Sequence, residues 1–303
     1  MILVLRALGV GDLAASVPAL RAVRAAFGAE TLALAAPAWL TPLIDLVGGI
    51  DEVVPTDGLA PRRWDVAAPE VAVNLHGRGP ESHRLLLAAD PAKLWAFASP
   101  EAGHPDGPGW TEEEHEVHRW CRMVRYYGLD ADEADLSLAV PVVDVPRGVT
   151  IVHPGAKSPS RRWPHFAELA RRLAAAGHRV VVTGTEADLA RRVADDAGVP
   201  MRPTTLTELA GLVAHARLVV SGDTGIAHLA TAYRTPAVVL FGPVPPRRWG
   251  PPADRPYHRA IWHGTRADRG DTPGPEVHPA LLAIGVDEVL AEIGQAERHA
   301  VTA

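Results

Sequence analysis

A regular alternation of short apolar runs with longer helical segments is the feature that most limits how this chain can fold. The short runs predict strands at residues 2–5, 31–35, 51–54, 71–75, 93–98, 149–152, 179–182, 218–220 and 237–241. The longer segments predict helices at residues 13–27, 39–47, 80–88, 112–127, 166–176, 188–197, 207–215, 226–233 and, as the final helix, 286–293. Such alternation is typical of parallel strands joined by crossover helices, so we predict an α/β fold. Residues 243–275, rich in Pro, Gly and Arg, are predicted to form a long ordered loop.

The alternation breaks once, which indicates a domain boundary. Residues 130–148 are irregular and include Pro141 and Pro146, and a chain of 303 residues is long enough for two domains. We predict two Rossmann-like, doubly wound domains, residues 1–145 and 146–303, that face each other across a central cleft. Ligands of such sheets bind beyond the carboxyl ends of the strands.

Composition excludes several classes of function. The net charge is −6 and no basic block runs along the chain, so we expect no nucleic-acid partner. Cys121 is the only cysteine, which excludes an intrachain disulfide. The apolar residues 1–5 are too few for a signal peptide, and no apolar run approaches the length of a membrane span. We therefore expect a cytoplasmic protein with no transmembrane segment.

The segment most informative about function is residues 221–228, with the sequence Ser-Gly-Asp-Thr-Gly-Ile-Ala-His. They follow a predicted strand and open a predicted helix, so the turn presents free N–H groups and the positive end of the helix dipole. A turn of this kind binds phosphate, and Thr224 beside Gly225 adds a hydroxyl. Asp223 and His228 could hold a sugar or move a proton. The alternative is a plain strand-to-helix turn in which Asp223 caps the helix.

A second loop of the same kind opens the second predicted domain. Residues 153–164 follow a strand and precede a helix, and they contain Lys157, Arg161 and Arg162 among Gly, Pro and Ser residues. Fixed cations beside a helix start can neutralise a diphosphate without a metal ion. The alternative is an exposed basic loop.

The first domain carries an acidic residue where a catalytic base would act. Asp12 lies where the first strand turns into a helix, and a carboxylate there can take a proton from an alcohol. The alternative is a helix cap. Gly9, Gly11 and Ala14 match a variant of the dinucleotide-binding fingerprint, but the second strand ends without the acid that would hold a ribose.

The polar residues Asn74, His76 and Arg78 lie at the end of a predicted strand of the first domain. Their side chains would face the cleft opposite the phosphate site, so we assign them, with Gly11, to the binding of an acceptor molecule. The alternative is an ordinary loop in which His76 has no contact with a ligand.

Together these segments resemble glycosyltransferase family 9, the heptosyltransferase family, which has the GT-B fold. The matching segments are Gly11-Asp12 followed by Pro18-Ala19-Leu20, His153-Pro154-Gly155, Arg161-Arg162-Trp163-Pro164, Gly222-Asp223-Thr224-Gly225 through His228, and Leu240-Phe241-Gly242-Pro243. Their order is specific, although each segment alone is not. The resemblance implies an N-terminal acceptor-binding domain and a C-terminal domain that binds the nucleotide-sugar donor.

The resemblance also implies roles for single residues. Asp12 matches the proposed catalytic base of the family, and Arg161 matches a basic residue, commonly lysine, that contacts the donor diphosphate. The Asp-Thr-Gly turn would bind phosphate and sugar, and Glu186 and Leu206 correspond loosely to residues that hold ribose and base. The implied reaction is an inverting transfer from a nucleotide-diphosphate sugar, often ADP-heptose, without metal or cofactor. The acceptor is a glycan or a small-molecule natural product.

Two other functions remain open at this stage. One is a GT-B-like nucleotide-sugar epimerase, which would need no acceptor. The other is a non-catalytic protein that binds a nucleotide or a sugar, although a binding module has no need of a base at Asp12.

Overall fold

Two compact units make up the chain, and each has its own parallel sheet. The computed structural model describes residues 1–268, 270 and 275–300. The first unit is Met1–Ala139 and the second starts at Val140, whereas the sequence pattern put the boundary after residue 145. The difference has a packing cause, because Val143 lies so close to Gly211 that a Cβ on that glycine would be 2.3 Å from its methyl group. Gly211 belongs to a helix of the second unit.

The first sheet has the strand order β3-β2-β1-β4-β5, with every pair parallel. Its strands are β1 (Ile2–Leu5), β2 (Leu32–Ala36), β3 (Glu52–Pro55), β4 (Val71–Asn74) and β5 (Lys93–Trp95). The central strands β1, β2 and β4 are buried along their whole length. Strands covered on both faces need continuous apolar sequence, which explains the short Leu- and Val-rich runs.

Four helices accompany this sheet. They are α1 (Val10–Ala26), α2 (Thr41–Val47), α3 (Glu81–Leu87) and α4 (Glu116–Tyr126). Helix α4 packs against α1 and buries Trp120 and Cys121 completely. Burial raises the pKa of the Cys121 thiol to about 12, so this cysteine is a packing residue and not a nucleophile.

The second sheet has the order β10-β9-β8-β6-β7, again parallel throughout. Its strands are β6 (Thr150–His153), β7 (Val180–Val182), β8 (Leu218–Gly222), β9 (Ala237–Phe241) and β10 (His258–Trp262). Its helices are α5 (Phe166–Ala175), α6 (Ala187–Ala197), α7 (Leu206–Ala214), α8 (Gly225–Ala232), α9 (Pro246–Trp249), α10 (Pro279–Leu282) and α11 (Val286–Ala300). Both sheets therefore have the open, doubly wound arrangement predicted from the sequence.

The prediction of one long loop at residues 243–275 is wrong. Helix α9 and strand β10 lie within it, and β10 pairs with β9 along its full length. The strand is hard to recognise because only Ala260, Ile261 and Trp262 give it an apolar run, and prolines and arginines surround it. The final helix, predicted at 286–293, continues to Ala300.

Candidate active site

The turn between β8 and α8 has the geometry of an anion site. Strand β8 ends at Gly222 and the helix begins at Gly225. Thr224 is the N-cap residue, so Asp223 does not occupy the capping position that the alternative interpretation gave it. The Thr224 hydroxyl lies 3.5 Å from the Gly222 carbonyl oxygen and caps no helix N–H. The first N–H groups of a helix have no partner within the helix, so they point towards any anion placed at this turn.

The two motifs of the second unit meet at this turn. Nη1 of Arg161 donates to Oδ2 of Asp223 at 3.0 Å, and the same nitrogen lies 3.4 Å from the Asp223 carbonyl oxygen. The Asp223 side chain is 8% exposed, whereas that of Arg161 is 25% exposed. A buried carboxylate therefore holds a partly exposed guanidinium beside the helix start.

Glu186 and Arg162 stabilise the basic loop formed by residues 153–164. Oε1 of Glu186 accepts the Ala156 N–H at 3.1 Å, and Oε2 forms an ion pair with Nη2 of Arg162 at 2.6 Å. Nε of Arg162 also donates to the Ala156 carbonyl oxygen at 3.2 Å. Arg162 is therefore committed to the loop itself, which fixes the backbone next to the exposed Lys157. The contact of Arg162 with the donor stays a prediction, and in the structure its guanidinium is engaged with Glu186 and Ala156.

The remaining donor candidates lie on helices of the second unit. His228, on α8, packs edge-on against Trp249 with ring centroids 5.7 Å apart. Leu206 is the first residue of α7, and its half-buried side chain is apolar, as a contact to a nucleobase would require. His153 at the end of β6 lies 2.9 Å from the Thr183 hydroxyl, and burial lowers its pKa to about 4, so it is neutral at pH 7.

In the first unit, the Asp12 side chain is fixed by a hydrogen bond but is still partly exposed to solvent. It is the third residue of α1, whose N-cap is Gly9. Its Oδ2 accepts the Gly9 N–H at 3.1 Å, so the capping alternative describes one of its contacts. The side chain is 28% exposed, which leaves it able to meet another molecule.

Arg6 is the residue that sequence reasoning missed. It ends the apolar run of β1, yet its side chain is only 1% exposed. Its Nε donates to the carbonyl oxygen of Asp12 at 2.9 Å, and Nη1 donates to that of Leu75. Nη2 lies 3.4 Å from Oδ1 of Asp12 and 3.3 Å from Oε1 of Glu116, and the guanidinium stacks over Trp120. A charged residue directly after an all-apolar strand was the available signal.

The structure corrects the interpretation of Asn74 as an acceptor contact. Its side chain is fully buried. The amide nitrogen donates to the Gly77 carbonyl oxygen at 3.2 Å and to Oγ of Ser82 at 2.9 Å, while Oδ1 accepts the His76 N–H at 3.0 Å. Asn74 therefore shapes the loop, and its buried side chain presents no surface to an acceptor.

His76 has a defined protonation state. Its Nδ1 accepts the Ala7 N–H at 3.2 Å, so in the neutral ring Nε2 carries the proton. Burial and, to a smaller extent, the Arg6 charge lower the pKa of His76 to about 4. The ring is therefore a neutral hydrogen-bond donor at pH 7. Gly11 lies in the first turn of α1 and Arg78 is exposed in the loop beyond His76.

Within residues 1–268, 270 and 275–300, no three His, Cys, Asp or Glu side chains come together as metal ligands would. No helix in that part of the chain has both the length and the apolar character needed to cross a membrane.

Comparison with known proteins agrees with this architecture. Residues 120–269 match the family model for glycosyltransferase family 9 (heptosyltransferase). The chain is 25% identical to lipopolysaccharide heptosyltransferase 2 of Escherichia coli K12, over 96% of this chain and 97% of that protein. Its fold is similar to that of E. coli ADP-heptose lps heptosyltransferase II, with a TM-score of 0.76, 22% identity and 99% of both chains covered.

A second solved structure with a similar fold is E. coli heptosyltransferase WaaC with ADP, with a TM-score of 0.73, 18% identity, and coverage of 97% of this chain and 99% of that one. The resemblance inferred from the sequence is confirmed: residues 120–269 match that family's model, and this chain is a glycosyltransferase with the GT-B fold.

Proposed function

We propose that this enzyme transfers a heptose-like sugar, with inversion, from an ADP-linked donor to a hydroxyl group of its acceptor, without a metal ion. The observation that carries the proposal is the junction of Arg161 with the Thr224–Gly225 turn, where a guanidinium and helix N–H groups converge. The chain's relatives add support for the nucleotide, because one solved neighbour contains ADP and another is titled an ADP-heptose enzyme.

The second unit would bind the donor diphosphate. Arg161 and Lys157 supply positive charge, and the start of α8 supplies N–H groups and the positive end of the helix dipole. As the bond between the anomeric carbon and the diphosphate breaks, these groups would stabilise the charge that develops on the leaving ADP. Glu186, after β7, and Leu206, at the start of α7, would contact the nucleoside.

The first unit would activate the acceptor. Asp12 would take the proton of the acceptor hydroxyl as its oxygen attacks the anomeric carbon from the side opposite the diphosphate. The products are the glycosylated acceptor with inverted configuration, ADP and a protonated Asp12 that returns its proton to solvent. His76, as a neutral donor, and the exposed Arg78 would orient the acceptor.

The acceptor of the proposed transfer is a glycan. The relatives are named for lipopolysaccharide, which favours a glycan, and a small-molecule natural product is the second candidate. A panel that contains oligosaccharides of a lipopolysaccharide core, simple heptosides and small-molecule alcohols would separate the two classes. The readout is the release of ADP from ADP-heptose, with water alone as the reference acceptor.

The donor experiment tests the proposal directly. Titration calorimetry with ADP, GDP, UDP and dTDP should show tightest binding for ADP, and ADP should raise the melting temperature by mass action. Asp12→Asn should keep ADP affinity and lower turnover about 100-fold or more, the scale of lost general-base catalysis. Near-normal turnover of Asp12→Asn would overturn its assignment as the base. Conversion of a nucleotide sugar with no acceptor, and no ADP release, would instead support an epimerase.

A further inference from the structure

We propose that Arg6 is a positioning residue for the transfer reaction, which holds Asp12 in the orientation that receives the acceptor proton. The inference rests on the proposed role of Asp12 as the base. Arg6 itself is buried at 1% exposure, so it acts through Asp12 and not by contact with substrate.

Arg6 ties together two loops at the carboxyl edge of the first sheet. Nε donates to the Asp12 carbonyl oxygen in the loop and helix after β1, and Nη1 donates to the Leu75 carbonyl oxygen after β4. Leu75 directly precedes His76, so a single guanidinium sets the backbone beside both acceptor-side residues. The planar fork of an arginine suits this task because its donors have fixed relative directions.

Each oxygen of the Asp12 carboxylate has one hydrogen-bond contact and can accept another. Oδ1 lies 3.4 Å from Nη2 of Arg6, and Oδ2 accepts the Gly9 N–H at 3.1 Å. Each carboxylate oxygen has two lone pairs, so one contact on each leaves a lone pair for an incoming hydroxyl. A base that is fixed in direction but still has a free acceptor site is what proton transfer requires.

Helix α4 holds Arg6 in place. Oε1 of Glu116 lies 3.3 Å from Nη2 of Arg6 and also accepts the Trp120 indole N–H at 2.9 Å. The Trp120 ring lies under the guanidinium, 4.7 Å from its central carbon. A buried cation is tolerated only when it is paired, and here two carboxylates face it. The guanidinium is therefore confined on one side by α4 and on the other by Asp12.

Arg119 provides a matched control within the same cluster. It is also buried, it also pairs with Glu116, and it stacks over Trp110 at 4.1 Å. Its Nη2 donates to carbonyl oxygens of residues 111, 112 and 114, in the segment before α4. Arg6→Met and Arg119→Met thus each remove one buried guanidinium from Glu116, but only Arg6 contacts Asp12 through the bonds described above.

The test is a double-mutant cycle on turnover, read as ADP release from ADP-heptose with the best acceptor of the panel or with water. Arg6→Met should lower kcat roughly 10- to 100-fold, the cost of a misplaced catalytic group, with ADP affinity unchanged in calorimetry. Arg119→Met should lower the melting temperature comparably and leave kcat within about threefold of wild type. In the Asp12→Asn background, Arg6→Met should lower kcat by less than about threefold, because the two residues act as one unit.

The outcomes separate the inference from the proposed function. If Asp12→Asn retains turnover, the base assignment fails, and the role of Arg6 fails with it. If Asp12→Asn has the expected low turnover but Arg6→Met lowers it by as large a factor as in wild type, Arg6 is structural only. The same conclusion follows if Arg6→Met and Arg119→Met lower wild-type turnover equally. Arg6→Lys keeps the charge without the fork and gives a second, better-folded variant, whose kcat should fall while its ADP affinity stays that of wild type.

Discussion

His153 should make the stability of the second unit depend on pH, and the size of the effect follows from its burial. Burial lowers its pKa from 6.5 to about 4 in the folded protein. As pH falls below 6.5, the unfolded chain takes up a proton that the folded protein does not, so stability falls with pH until the folded ring also protonates near pH 4. Above about pH 7.5 both states are almost entirely neutral and His153 contributes no pH dependence.

The magnitude comes from the two pKa values. The difference between a pKa of 6.5 in the unfolded chain and about 4 in the folded protein corresponds to about 3 kcal/mol once the pH has crossed both values. At pH 5 the unfolded ring is almost fully protonated and the folded ring is almost fully neutral, so the loss there is about 2 kcal/mol. At pH 7.5 it is close to zero. His153→Asn removes the titrating ring, and its amide can still reach the Thr183 hydroxyl.

Urea denaturation followed by circular dichroism at pH 7.5 and pH 5 measures the difference. The wild-type free energy of unfolding should fall more between the two pH values than that of His153→Asn, by about 2 kcal/mol. Ile151→Val, in the same strand, is the control, because its cost of about 1 kcal/mol should be equal at both pH values. An equal pH dependence in wild type and His153→Asn would refute the reasoning, since it would mean that the buried ring does not resist protonation.

Further predictions concern the sites themselves. Arg161→Ala and Thr224→Ala should each weaken ADP binding by roughly 1–3 kcal/mol in calorimetry, and parental affinity in both would exclude this turn as the diphosphate site. Turnover should survive excess EDTA; complete loss that magnesium restores would contradict a metal-independent reaction. Cys121 should resist thiol reagents in the folded protein and react once unfolded, because its thiol is buried and its pKa is raised to about 12. NMR titration should find the pKa of His76 near 4 in wild type and higher in Arg6→Met, and an unchanged value would show that the Arg6 charge does not reach the ring.

The fold was largely predictable because buried parallel strands require continuous apolar runs, which are easy to recognise in a sequence. A strand such as β1, covered on both faces, must be apolar at every position, so it is conspicuous. Strand β10 was missed for the converse reason: it lies at the sheet edge, Arg259 and Ala260 are not fully buried, and edge strands need no continuous apolar run. The unit boundary after Ala139 differs from the one predicted after residue 145 because the packing of Val143 against Gly211 is a tertiary contact that no local pattern encodes.

The candidate site was predictable only where its residues follow strands directly. Strand ends at one edge of a parallel sheet lie close together, so Asp12 and the Asp223–Gly225 turn could be named from position alone. Burial could not be predicted in this way, which is why Asn74 was taken for a ligand contact although it is enclosed by its own loop. The partners of Arg6 come from α4, far away in sequence, so its role depends on packing that only the structure describes.

The two units contain the same kind of ion pair, but the buried member is the arginine in the first unit and the aspartate in the second. Each has an arginine–aspartate pair at a strand-to-helix turn, Arg6–Asp12 in the first and Arg161–Asp223 in the second. In the first pair the arginine is 1% exposed and the aspartate 28%, so the turn offers a carboxylate, as the proposed base requires. In the second pair the aspartate is 8% exposed and the arginine 25%, so the turn offers a cation, as the proposed diphosphate site requires. Because the buried member of each pair sets the direction of the exposed one, Arg6 should matter for turnover and Asp223 for donor affinity, although we expect neither to be the principal contact with substrate.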